Sequence, residues 1–217
     1  MSLLTKVGSL ELSNPFIAAS GTFGYGMEYN DLSPAGDWGA VILKSVSLKP
    51  RPGNVPPRCC ETDSGMINSI GLANVGIDAF IEKKLPLFAE TAPDATCVAS
   101  IAGETLEEFI CLAERLSGNP TVKAIELNIS CPNVAKGGMH FGADRNASIE
   151  LVKECRKVSS VPIWVKVTPA TTDPVSVALA CGEAGADAVV ATNTVPATRI
   201  DIRKCRPVLG NVFGGLS

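Results

Sequence analysis

The chain has 217 residues, 46% of them hydrophobic and 19% charged, with a formal net charge of −3. That length allows one large domain or two small ones, and the weakly negative balance argues against nucleic acid or an anionic membrane as a main partner. No apolar run approaches the ~20 residues of a membrane span, and Met1-Ser2-Leu3-Leu4-Thr5 lacks the basic region and apolar core of a signal peptide, so a cytoplasmic location is expected.

Phe16-Ile17-Ala18-Ala19 reads as a first strand, followed by the glycine-rich loop Gly21-Thr22-Phe23-Gly24-Tyr25-Gly26. Ala40-Val41-Ile42-Leu43 is the second. A Pro- and Gly-rich excursion over 49–76 leads to a helix near 78–85, and Cys97-Val98-Ala99-Ser100-Ile101 is the third strand. Thr105 with Glu108 makes a capping-box pattern, and Leu106, Phe109, Ile110 and Ala113 follow at amphipathic-helix spacing. The fourth strand is predicted at 124–127. A helix near 148–158 carries Leu151, Val152, Cys155 and Val158 on one side, and Ile163-Trp164-Val165 is the fifth strand. Asp173-Pro174 suits an N-cap and first helical position, with Val175, Ala178, Leu179 and Gly182 predicted to face inward. Gly185-Ala186-Asp187 turns into a sixth strand, Ala188-Val189-Val190-Ala191.

Strands apolar along their whole length and joined by helices imply a parallel sheet covered by helices. Each strand delivers polar groups at its carboxyl end: Ser20, Lys44-Ser45, Ser100, Asn128 through Asn133, Lys166, and Thr192-Asn193-Thr194. In an open doubly wound sheet only strands at the switch point would do so, whereas in a (β/α)8 barrel all of them ring one mouth. An α/β (β/α)8 TIM barrel is therefore expected, with about six βα units in this chain. The expected organisation is a single domain over 1–217 that lacks the last two units, since such barrels run to about 250 residues.

Eight cysteines are present, with no C-x-x-C spacing. Cys97, Cys111, Cys155 and Cys181 fall within strand or helix patterns and read as small buried hydrophobes; adjacent Cys59-Cys60 suit neither a zinc nor an iron–sulfur ligand run. No metal site is expected. The Arg199, Arg203, Lys204, Arg206 cluster reads as a solvated face. His140 sits in a glycine-rich loop, carboxylates are absent from the strand ends, and no Gly-x-Gly-x-x-Gly follows a strand, which disfavours Ser-His-Asp, glycosidase and dinucleotide-fold chemistry. Asn128-Ile129-Ser130-Cys131-Pro132-Asn133 instead ends a strand in two amides, a hydroxyl and a thiol. With Lys44 and Lys166 aimed at the same mouth, Cys131 suits proton removal from a carbon acid. The electrons left behind need a sink that no side chain provides, so a cofactor is implied.

Four stretches carry a resemblance to the class 1 dihydroorotate dehydrogenases, most closely the catalytic subunits of class 1B. These are Asn14-Pro15 through Gly26, Leu43-Lys44-Ser45 with Pro56-Pro57-Arg58, Asn68-Ser69-Ile70-Gly71-Leu72, and the hexapeptide of Cys131. Lys166 and Asn193-Thr194 continue the match across essentially the whole chain, and cysteine rather than serine at 131 separates it from class 2.

The resemblance implies FMN across the mouth and oxidation of dihydroorotate to orotate in pyrimidine synthesis, with Cys131 as the base. It implies that Lys44, Asn68, Ile70, Gly71, Leu72, Asn128, Asn133, Asn193 and Thr194 hold substrate. Ser20, Gly21, Lys44, Ser45, Ser100, Asn128, Lys166 and Thr192 would hold FMN, with Lys166 favouring its reduced, negatively charged form. Ser100 stands where the family usually has Asn, and Thr192 where an apolar residue is usual. The loop over about 133–144 resembles the family's lid. A partner subunit with FAD and a 2Fe–2S cluster is implied, passing electrons to NAD, within a heterotetramer built on a homodimer. Because the flavin phosphate belongs to the loops after strands seven and eight, the 217-residue chain alone is expected to bind FMN poorly. Two alternatives stand beside this reading: a dihydropyrimidine dehydrogenase-like FMN module, and a non-catalytic barrel fragment.

Overall fold

Runs of Val, Ile, Ala and Cys with no polar alternation have no solvent face to offer, so they pair with one another and are covered on both sides. In the computed structural model, which describes residues 3–130 and 141–217, six of them form one parallel sheet. The strands are β3 (Ile17–Ala18), β4 (Ala40–Ile42), β7 (Cys97–Ile101), β8 (Val122–Asn128), β9 (Ile163–Lys166) and β10 (Ala188–Val190), in the spatial order β10-β9-β8-β7-β4-β3. Each strand is added beside its predecessor on the same edge, with no reversal of order. That is the winding of a barrel, and it removes the doubly wound alternative, which needs a switch point.

The two faces of this sheet pack separately. Val41, Leu43, Cys97, Ala99, Ile101, Ile125, Leu127, Ile163 and Val165 face the helices. Ala40, Ile42, Val98, Ala124 and Trp164 form a second cluster inside the curl. Leu12, fully buried, joins that inner cluster from the antiparallel hairpin of β1 (Thr5–Val7) and β2 (Leu10–Leu12). The hairpin turns at Gly8, whose φ of +58° suits glycine and whose Cβ position lies 3.1 Å from Asp187, just before β10. It thus closes the amino end of the interior.

The covering helices follow from local signals. In α3 (Leu106–Ser117), Thr105 Oγ1 accepts from Glu108 N at 3.3 Å, while Glu108 Oε2 accepts from Glu104 N at 2.7 Å. The capping box is therefore displaced by one residue. α4 (Arg145–Val158) begins earlier than expected because Asp144 Oδ1 accepts from Asn146 N at 2.8 Å and from Ala147 N at 3.1 Å. α5 (Pro174–Glu183) is capped by Asp173 as expected, with Ser176 N donating at 2.9 Å.

The face assigned to α5 is corrected. Val177, Ala180 and Cys181 are buried, whereas Val175 and Leu179 are 65% and 64% exposed. This helix is apolar on more than one side, so periodicity could not select the packed one.

The excursion at 49–76 is also more ordered than expected. It holds a hairpin of β5 (Cys59–Thr62) and β6 (Gly65–Asn68), leading into a helical segment with α1 (Gly76–Ala79) and α2 (Leu85–Thr91) joined by a π-turn. After β10 the chain does not continue the parallel sheet. β11 (Val195–Ala197) and β14 (Gly214–Leu216) instead extend the β5–β6 hairpin into a four-stranded sheet ordered β11-β14-β6-β5. β12 (Ile200–Asp201) and β13 (Arg206–Pro207) pair with each other. Among the described residues no helix is long and apolar enough to cross a membrane.

Candidate active site

Strand alternation decides which side chains reach the mouth. Ala40, Ile42, Val98, Ala124 and Trp164 mark the inner face. Two or four residues further along the same strands, that face carries Lys44, Ser100, Asn128 and Lys166. The interior therefore changes from apolar at the amino end to polar at the carboxyl end. Ser100 is fully buried, Asn128 and Lys166 are each 7% exposed, and Asn128 is the register partner of Lys166.

A continuous set of hydrogen bonds joins five strand ends. Ser20 Oγ donates to Leu43 O at 3.1 Å and lies 3.1 Å from Ser45 Oγ. Ser45 Oγ lies 2.8 Å from Ser100 Oγ and accepts from Asn128 Nδ2 at 3.4 Å. Asn128 Oδ1 accepts from Asn193 Nδ2 at 3.2 Å and from the Ser130 hydroxyl. Asn193 Nδ2 also donates to Ser130 Oγ, and Asn193 Oδ1 accepts from Thr194 N at 2.8 Å. Such a network fixes side-chain orientation more firmly than isolated pairs. Among the described residues the Ser100 hydroxyl joins this network through Ser45.

The cations differ from this network. Lys44 and Lys166 form no salt bridge among the described residues. Burial lowers the pKa of Lys44. A partly buried ammonium without a carboxylate, as at Lys44, is a receptor for an anionic ligand. Gly21, at φ +88°, has open space where a Cβ would stand, so a ligand can approach its backbone closely.

The remaining predicted residues divide. Asn68 sits on β6, opposite Gly215 of β14, and its Nδ2 donates to Gly215 O at 3.4 Å. A Cβ at Gly215 would lie 1.8 Å from Thr194 Oγ1, so β14 is pressed between Asn68 and Thr194. Ile70, Gly71 and Leu72 form a tight loop, with φ of 72° at Gly71 and 53° at Leu72. Asn54 holds it by donating from N to Ile70 O at 3.1 Å and from Nδ2 to Ser69 O at 3.0 Å. Gly71 also lines a hollow of about 500 Å³ with Ser47, Arg51, Asn54 and Glu104. Thr192 Oγ1 donates to Asn193 O at 2.9 Å.

Cys131, Asn133, His140 and most of the lid segment lie outside the described residues. Sequence reasoning passed over Ser130 as a site residue, although its place in the hexapeptide was a signal. It also passed over the β14 contact, which had none beyond two glycines.

Among the described residues no group of three or more His, Cys, Asp or Glu could hold a metal ion. Burial pushes the Cys97 and Cys155 thiols up to about 12 and Cys181 to about 11, which leaves them protonated at neutral pH.

A singly wound parallel sheet whose strand ends carry a hydrogen-bonded amide and hydroxyl network beside two cations defines a barrel enzyme of the α/β class. The family model described as dihydroorotate dehydrogenase matches residues 2–217. The chain is 48% identical over 215 residues to "Dihydroorotate dehydrogenase B (NAD(+)), catalytic subunit" of Geotalea daltonii, covering 99% of this chain and 70% of that protein. It is equally similar, over the same extents, to the protein of that name from Geobacter sulfurreducens. The counterpart from Trichlorobacter lovleyi is 47% identical over 216 residues, covering 100% of this chain and 70% of the relative. The chain belongs to the dihydroorotate dehydrogenase family, a family of oxidoreductases.

Proposed function

We propose that this chain oxidises dihydroorotate to orotate as a class 1B catalytic subunit in pyrimidine synthesis, through one FMN-binding domain over 1–217. The observation that carries the reading is the network linking Ser20, Ser45, Ser100, Asn128 and Asn193 across five strand ends, beside Lys166. These groups suit a flat heterocycle with carbonyl and N–H edges. The open backbone at Gly21 suits its close approach.

In this reading Ser20, Gly21, Lys44, Ser45, Asn128, Lys166 and Thr192 hold FMN, with Ser100 acting through Ser45. FMN supplies the hydride acceptor. Lys44 offers its uncompensated ammonium to the substrate carboxylate, and Asn68, Asn128, Asn133, Asn193 and Thr194 offer amide and hydroxyl groups to its ring. The loop Ile70-Gly71-Leu72 offers backbone groups. Cys131 removes the proton from the carbon next to the one that loses hydride. Electrons then pass to NAD through a separate subunit carrying FAD and a 2Fe–2S cluster, in a cytoplasmic heterotetramer built on a homodimer.

Steady-state oxidation by the FMN-supplemented protein, with dihydroorotate and dihydrouracil compared, tests the assignment. Turnover of dihydroorotate alone is expected. Preference for dihydrouracil would reassign the chain to the dihydropyrimidine dehydrogenase type.

A further inference from the structure

Glu126 and Lys166 are the only side chains of formal charge buried among the described residues, at 0% and 7% exposed. Glu126 is the register partner of Trp164, a member of the inner cluster, and Lys166 follows Trp164 by two residues on the same face. Strand spacing and rise place the two positions diagonally, about 8 Å apart, so both side chains share the interior just below the mouth. Among the described residues neither carboxyl oxygen of Glu126 has a hydrogen-bond partner, nor has the buried indole N–H of Trp164. Ser100, its register neighbour on β7, is engaged with Ser45 at 2.8 Å. A buried carboxyl left without hydrogen bonds is costly, and packing alone would be better served by an apolar residue. Burial pushes the pKa of Glu126 up, while Lys166 pulls it down.

We propose that Glu126 is a positioning residue for Lys166: without a direct ion pair among the described residues, its carboxylate is the buried counter-charge that balances the lysine ammonium across the floor of the mouth and tempers the positive field that Lys166 places under a bound flavin. The inference rests on the reading that FMN occupies the mouth. With Lys166 present, removing the negative charge leaves the ammonium field unbalanced and favours the reduced flavin. With Lys166 absent, burial favours the neutral form of the Glu126 carboxyl, whose removal changes no charge.

The test is a double-mutant cycle on the midpoint potential of bound FMN, using wild type, Glu126→Gln, Lys166→Met and the double variant at neutral pH. Glu126→Gln is expected to raise the potential by about 30 mV, a tenfold shift in the two-electron equilibrium. In the Lys166→Met background the same change is expected to leave the potential where it was. Equal shifts in both backgrounds, or none in either, would overturn the proposal. A purely structural role for Glu126 would give no such dependence on Lys166. Isotope-edited infrared spectroscopy of the Glu126 carboxyl needs neither a Glu126 variant nor bound flavin. Lys166→Met should convert its carboxylate band to a protonated-carboxyl band, and an unchanged band would overturn the proposal. Failure of the wild type to bind FMN would count against the flavin reading instead, and the infrared measurement would still decide the coupling of Glu126 to Lys166.

Discussion

Eight thiols share this chain, but they do not share a chemical role. Cys97, Cys155 and Cys181 are buried, and burial, aided at Cys155 by the neighbouring Glu154 charge, moves their proton affinities well above the ordinary value of 9.0. Two consequences follow from linkage. Alkylation of the folded protein at neutral pH should spare these three while modifying exposed Cys59, read by peptide mass analysis. Their folded values are raised, so the stability they contribute is fully present below 9.0 and is lost as pH climbs toward about 12 for Cys97 and Cys155. Urea unfolding above pH 9.0 should therefore show falling stability. Cys131 stands apart because its hexapeptide ends a strand in two amides and a hydroxyl as well as the thiol. As general base it should contribute about 10²- to 10⁴-fold. Cys131→Ala should lose that factor in dihydroorotate oxidation while retaining FMN, measured by turnover and flavin absorbance; near-normal turnover would remove the thiol from the mechanism.

At the scale of elements, the parallel strands were legible because a strand covered on both faces has a sequence signature of its own, as in Cys97–Ile101 and Ile163–Lys166. The antiparallel pieces were not. β5 begins Cys59-Cys60-Glu61-Thr62 with alternating exposure, and β14 is largely glycine. Their pairing is set by tertiary context: Asn68 and Gly215 are 147 residues apart in the chain. Of the site residues, those at strand ends could be read from the sequence, because alternation carries an apolar strand into a polar mouth. The contact that sets Asn68 against β14 could not, because it comes from a long-range register. Gly215 makes that contact possible, since a side chain there would collide with Thr194 Oγ1. Gly215→Ala should displace Thr194 and raise the KM for dihydroorotate about tenfold or more, with FMN affinity unaffected. Unchanged KM would show that β14 does not shape the substrate site.

For the whole molecule, the two-sided sheet means two cores with different tasks. The outer core holds the helices, and the inner one supports the floor on which Glu126, Asn128 and Lys166 stand. Leu12 completes the inner core from outside the sheet, a role no local pattern announced in a three-residue strand. Leu12→Ala should cost about 2–5 kcal/mol in denaturant unfolding, a loss comparable with a large share of a domain's total stability. An effect below about 0.5 kcal/mol, the range of surface substitutions, would mean that the hairpin does not plug the interior. The most direct measurement is a crystal structure with FMN and orotate bound. The account predicts the flavin ring over the ends of β4, β8 and β9, with orotate hydrogen-bonded to Asn68, Asn128 and Asn193. Orotate bound in the hollow of Arg51 and Glu104 with no hydrogen bond to Asn68, Asn128 or Asn193 would contradict it.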